Sequence, residues 1–157
     1  MNNTTTYLGN KELLKLEKVG FLASRKISTL SVIPTFDWAI DVSKKEEVAV
    51  VSGFQSHIEG KVLELLLKGQ CGIIIILNRG IYKRIPQKYL TAFNQNRVLF
   101  ISLENDKITR SSNIIGIKRN HYIAKLADEV IFSSLSLQSS LYEIYSSIKS
   151  SRKVTLL

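Results

Sequence analysis

The chain has 157 residues, 45% of them hydrophobic and 22% charged, an ordinary globular balance that excludes disordered, collagen-like and disulfide-stapled classes. Lys and Arg number 22 against 13 Asp and Glu, a formal charge of +9, which favours polyanionic partners. The lone Cys71, with two histidines in the whole chain, leaves nothing for an internal disulfide or a metal site and suits a reducing, cytoplasmic compartment.

No membrane partner or secretion leader is expected. The opening MNNTTTYLGN lacks a basic and an apolar region, and the apolar run from Ile73 to Leu77 is far short of a span. The length predicts a single domain over 1–157, with 1–8 as a flexible start.

In chain order, an apolar strand is predicted at 18–23. Ile33, Phe36 and Ile40 then fall at i, i+3 and i+7, predicting a helix with that face on a sheet. A strand at Val48–Ser52 follows. Next comes a helix through Ile58, Val62, Leu65 and Leu66, closed by Lys68-Gly69. Strands at Gly72–Leu77 and 97–103 precede an apolar helix in NHYIAKLAD and a strand at Glu129–Ser133. Leu137, Leu141, Ile144 and Ile148 predict the last helix. The final strand, 154–157, has two open readings: it completes its own sheet, or it pairs between the subunits of a homodimer.

These strands are continuously apolar rather than alternating, the habit of parallel strands covered on both faces. Strand and helix in regular alternation predict a three-layer, doubly wound α/β sandwich, Rossmann-like, with a mostly parallel sheet of five or six strands. In such folds ligands sit at the carboxyl ends of the strands, so the strand-to-helix turns are the places to look.

Four turns stand out. After the first strand, Ser24, Arg25 and Lys26 arrive together where a helix begins, a hydroxyl and two cations beside orphan N–H groups, which suits a phosphate. After the second strand, Ser52, Gly53, Phe54, Gln55 and Ser56 form a turn in which Gly53 allows close approach to the backbone and Ser56 forms a capping box with Glu59. Arg79 lies just beyond the third strand. Lys118, Arg119 and Asn120 precede the NHYIAKLAD helix, with Asn120 as its cap. Between Glu64 and Glu104 there is no carboxylate, while Lys68, Arg79, Lys83, Arg84, Lys88 and Arg97 all fall there, either facing a polyanion or forming a solvated surface. Of the aromatics in that stretch, Phe93 and Phe100 are expected in the core, and Tyr82 and Tyr89 at its rim.

No G-x-G-x-x-G, P-loop, G-x-S-x-G or H-E-x-x-H pattern is present. Adjacency alone does not make His57 and Ser56 a base and nucleophile. No catalytic residue, cofactor or metal is expected.

The set VGFLASRKIS, VVSGFQSHIEGKVLELLLKG, IIIILNRGI and ITRSSNIIGIKRNHYIAKLADEVIFSS, from about residue 9 to 134, resembles the Rossmann-like core of the DNA-processing protein A (DprA/Smf) family, related to the LOG-type nucleotide-binding domains. The resemblance implies binding of single-stranded DNA, its transfer to a recombinase, and phosphate contacts by Ser24, Arg25, Lys26, Ser52, Gly53, Phe54, Lys118, Arg119 and Asn120. Two departures stand beside it. SSLSLQSS, residues 133–140, holds no glycine where the family commonly has a glycine-containing loop, and the P-G-G-x-G-T-x-x-E signature of the related phosphoribohydrolases is absent. The expected function is therefore a binding domain for single-stranded DNA or nucleotide phosphates. The alternative is a sensor or hydrolase of a nucleotide derivative.

Overall fold

In the computed structural model, which describes residues 5–110 and 112–157, seven strands form one sheet. They are β1 (Thr6–Gly9), β2 (Glu17–Ala23), β3 (Val48–Ser52), β4 (Gly72–Leu77), β5 (Val98–Ser102), β6 (Glu129–Ser133) and β7 (Lys153–Leu156). Their order is β1-β5-β4-β3-β2-β6-β7. All neighbours are parallel except β1, which runs antiparallel to β5. The helices are α1 (Thr29–Ser43), α2 (His57–Leu67), α3 (Leu90–Asn94), α4 (Asn113–Leu126) and α5 (Ser140–Ile148).

The apolar strands are explained by two covers. Val50, Ile73, Ile75 and Phe100 face a core shared with α1, α2 and α3. Ala49, Ile74, Ile76 and Leu99 face a second core built on α4 and α5. The inner strands β3, β4 and β5 are thus buried on both sides, so an alternating polar face would have been costly. The three-layer, mostly parallel Rossmann-like architecture matches the expectation, with one strand more than expected.

That extra strand is β1, whose four residues pair Thr6 with Ser102 through to Gly9 with Leu99. Half of it lies open at the sheet edge, so its sequence carries little hydrophobic signal. Of the start expected to be flexible at 1–8, residues 6–8 lie in this strand; residues 1–4 lie outside the described ones. The last strand completes its own sheet, Glu129 to Phe132 pairing with Lys153 to Leu156.

Three helix expectations are corrected. In α1, Ile33 is 70% exposed and Ile40 also faces outward, while Ser31, Thr35, Ala39, Val42 and Ser43 are buried. Small residues let this helix approach the sheet closely, and the Thr35 and Ser133 hydroxyls share a hydrogen bond of 2.7 Å in the interface. In α4 the helix starts at Asn113, capped by Ser112, so Lys118, Arg119 and Asn120 lie inside it rather than before it. Tyr89, expected at the rim, is buried edge-on against Phe100, and Leu137 lies before α5, exposed. No helix among the described residues is long and apolar enough to cross a membrane.

Candidate functional site

The chain moves from β2 outward through β3, β4 and β5, then returns to the other side of β2 for β6 and β7. This reversal leaves a crevice at the carboxyl ends of β2 and β6, the switch point where such sheets bind ligands. An open cleft of about 910 Å³ lies there. The turn after β2, the turn after β3, Asn78 after β4, the start of α4 and the β6–α5 loop all line it.

Its electrostatics are positive. Arg25, Lys26 and Arg119 line the cleft. So do the N-terminal residues of three helices: Ser56 and His57 of α2, Ser112 and Asn113 of α4, Ser139 and Ser140 of α5. Helix N-termini carry partial positive charge and unsatisfied N–H groups, so all three favour an anion at the same place.

Arg119 is the most constrained of the cations. It is only 8% exposed, and Nε and Nη2 donate to Asn120 Oδ1 at 3.3 and 3.1 Å. Nη1 is buried with no hydrogen-bond partner among the described residues. Burial holds the guanidinium below its usual pKa; the charge of Glu59 opposes this and that of Arg25 adds to it. Gly53 is the reason the side chain fits. A β-carbon on residue 53 would stand 2.5 Å from Arg119 Cζ, so any larger residue there would push the guanidinium out of this position.

Glu59, 4% exposed, fastens two of the turns together. Its Oε1 accepts from the N–H of Gln55 at 3.0 Å and of Ser56 at 3.2 Å, and its Oε2 from the N–H of Ala23 at 3.1 Å. The expected capping box is present, with Ser56 Oγ accepting from Glu59 N. Three backbone donors engage this carboxylate and hold it in the cleft wall, where Arg25, Lys26 and Arg119 outnumber it.

The β2–α1 turn is fastened on its other side to the β6–α5 loop. Ser24 N donates to Ser133 O, Ser24 Oγ to Ser134 O at 2.8 Å, and Ser28 N to Ser134 Oγ at 2.8 Å. Ser134 itself has φ +58°, the left-handed backbone that usually selects glycine. The glycine-free SSLSLQSS loop thus makes a glycine-like turn with a serine held by hydrogen bonds at its N–H, carbonyl and hydroxyl. Ser136, Gln138, Ser139 and Ser140 of this loop reach the cleft.

Of the residues expected from sequence, the cleft brings together Ser24, Arg25, Lys26, Gln55, Ser56, Arg119 and Asn120. Gly53 supports Arg119 from behind. Ser52 and Phe54 are buried: Ser52 Oγ accepts from Phe54 N, and Phe54 takes φ +52° and joins the core. Two cations lie elsewhere. Lys118 Nζ bonds Glu104 at 2.8 Å, while Arg79 donates to Gly80 O and stacks on Tyr82.

Sequence reasoning missed Asn78, Asn113 and the SSLSLQSS serines as lining residues, and Glu59 as the brace. Serines preceding each helix after a strand were the available signal.

A doubly wound Rossmann-like domain with an anion-favouring cleft at its switch point is the class this fold and cleft define. The family model of DNA recombination-mediator protein A matches residues 4–157, and the chain belongs to that family. DNA processing protein A of Streptococcus pneumoniae has a similar structure at TM-score 0.75 and 21% identity, covering 97% of this chain and 54% of that one. This chain therefore spans about half the length of that protein. The Helicobacter pylori DNA processing protein A, whose structure addresses its single-stranded DNA binding mode, matches at TM-score 0.76 and 20% identity, covering 97% and 70%. The molybdenum cofactor binding protein of Rippkaea orientalis shares the fold at TM-score 0.59 and 13% identity, covering 90% of this chain and 76% of its own. No curated relative matches the chain in sequence.

Proposed function

We propose that this domain holds the sugar-phosphate backbone of single-stranded DNA in the switch-point cleft, as a step in DNA processing or recombination. The observation that carries the reading is the meeting of Arg25, Lys26, Arg119 and three helix N-termini around one cleft. Arg119 is held in place before any ligand arrives, with little side-chain entropy left to lose on binding. Arg25 and Lys26, exposed on the turn after β2, supply the mobile charge that closes on the phosphates.

Family membership and the single-stranded DNA binding of the Helicobacter pylori relative support the ligand class. Transfer of the bound strand to a recombinase is the corresponding proposal for the partner, and a cytoplasmic location goes with it. No covalent step is assigned.

Fluorescence anisotropy with labelled oligothymidine across a salt series tests the reading. The affinity is expected to fall with added salt by a log–log slope of about 0.7 for each phosphate held. Arg119→Gln is expected to weaken binding more than tenfold, and the Arg25→Gln, Lys26→Gln pair to make the slope shallower. Salt-independent binding, or a thermal shift with mononucleotides and none with oligonucleotides, would overturn it in favour of a nucleotide-derivative site.

A further inference from the structure

We propose that a single strand anchored in the cleft continues across the loops after β4 and β5, where Lys83 and Arg84 hold its next phosphates and the Arg79–Tyr82 pair receives a base. The proposal rests on the cleft reading above and adds a second subsite to it.

Both loops start from or return to the cleft. Asn78, the first residue after β4, lines it, as do Ser112 and Asn113 at the end of the segment after β5. The loops are also joined to each other, Ser102 Oγ donating to Arg79 O at 2.5 Å and Gly80 N to Ile108 O at 2.8 Å. The two loops are thus tied to each other, and they meet the cleft at Asn78, Ser112 and Asn113. From β2 to β4 is two strand spacings, about 10 Å, a gap a few nucleotides cross.

The charges on this surface differ in kind from the other cations of the carboxylate-free stretch. Arg97 is engaged by the carbonyls of Leu66, Leu67 and Cys71, and Lys88 lies over the Tyr89 ring. Lys83 and Arg84 are exposed, and among the described residues neither makes an ion pair or a side-chain hydrogen bond. Lys107 and Arg110, exposed on the facing loop, extend the same sign of potential.

The third element is aromatic. Arg79 Cζ stands 4.8 Å from the Tyr82 ring centroid, and Tyr82 is itself fixed edge-on against Phe100 at 5.3 Å. A guanidinium over a ring pairs a cation with an aromatic surface, and both attract the planar faces of unpaired bases. Cationic contacts interleaved with a stacking platform are what sequence-tolerant single-strand binding uses. An acidic protein segment would match the charge and leave the stacked pair without a role.

The test compares oligothymidines of about four and about twenty nucleotides on the whole chain. Lys83→Gln with Arg84→Gln is expected to weaken the long oligomer roughly tenfold and flatten its salt slope by about 1.4, at 0.7 per phosphate, leaving the short oligomer as tightly bound as before. Arg119→Gln weakens both lengths. The second subsite is overturned if the double variant binds the long oligomer like the unaltered chain, if it loses both lengths equally, or if polyglutamate competes as well as the long oligomer does. If the unaltered chain binds neither length, the cleft reading itself fails, and the extension with it.

Discussion

The guanidinium of Arg119 lies directly against the α-carbon of Gly53, with Nε and Nη1 both 2.6 Å from where a β-carbon would stand. Glycine is therefore required here for close approach rather than for an unusual φ. Gly53→Ala is expected to displace Arg119 at little cost in stability, because the atoms that must move are the end of a flexible side chain, and to weaken oligonucleotide binding about as much as Arg119→Gln. Denaturant titration and anisotropy on the same variant check both parts. An alanine variant that binds DNA normally would show that Arg119 is not the anchor.

Glu59 ties Ala23 to Gln55 and Ser56 through three backbone N–H groups. An amide in its place has one acceptor oxygen and turns an NH₂ group toward a donor. Glu59→Gln should destabilise the fold by about 1–3 kcal/mol and loosen the turn carrying Arg25. Urea unfolding reads the first effect. An unchanged midpoint would mean the carboxylate does not brace the site.

Arg97 looks from sequence like part of a surface for a polyanion, yet it donates to Leu66 O at 2.7 Å, Cys71 O at 3.1 Å and Leu67 O at 3.3 Å. Two of these are last-turn carbonyls of α2, of which Leu66 O also accepts from Gly69 N. Arg97→Met is expected to lower stability by about 1–3 kcal/mol while leaving the affinity for oligothymidine and its salt slope as they were. A variant that folds normally and binds DNA weakly would reverse this assignment.

Burial raises the Cys71 thiol from 9.0 to about 11, against a smaller opposing effect of Arg97. Between those pH values the unfolded chain has lost the proton and the native chain keeps it, so stability falls as pH rises, by about 1.4 kcal/mol per unit. The contribution is intact below pH 9 and gone by about pH 11. Unfolding free energies of the native chain and of Cys71→Ala should therefore converge across this window. Parallel curves would count against the buried neutral thiol.

How much of this was legible follows from where each signal resides. The runs VAVVS and GIIIIL state double burial outright, because only a strand covered on both faces is apolar at every position. The capping box at Ser56 and Glu59 is equally local, three residues apart on one turn. The sheet face of α1 was not legible, since its large residues point outward and its small ones inward. Neither was the start of α4, where Ser112 caps a first turn with Ile114 exposed and no apolar stripe to announce it.

The sequence by itself determined the layered α/β class, the positions of the parallel strands along the chain, and the cationic turn after β2, because periodicity and capping act over a few residues. Only the tertiary structure decided that Arg25, Lys26 and Arg119 share a cleft while Arg79 and Lys118 do not. It also decided that Arg97 serves the fold, and that Ser134 takes the conformation of a glycine. Those outcomes depend on which carbonyl, carboxylate or backbone lies opposite each side chain across the sheet edge. That neighbour comes from a segment dozens of residues away, and no local pattern records it.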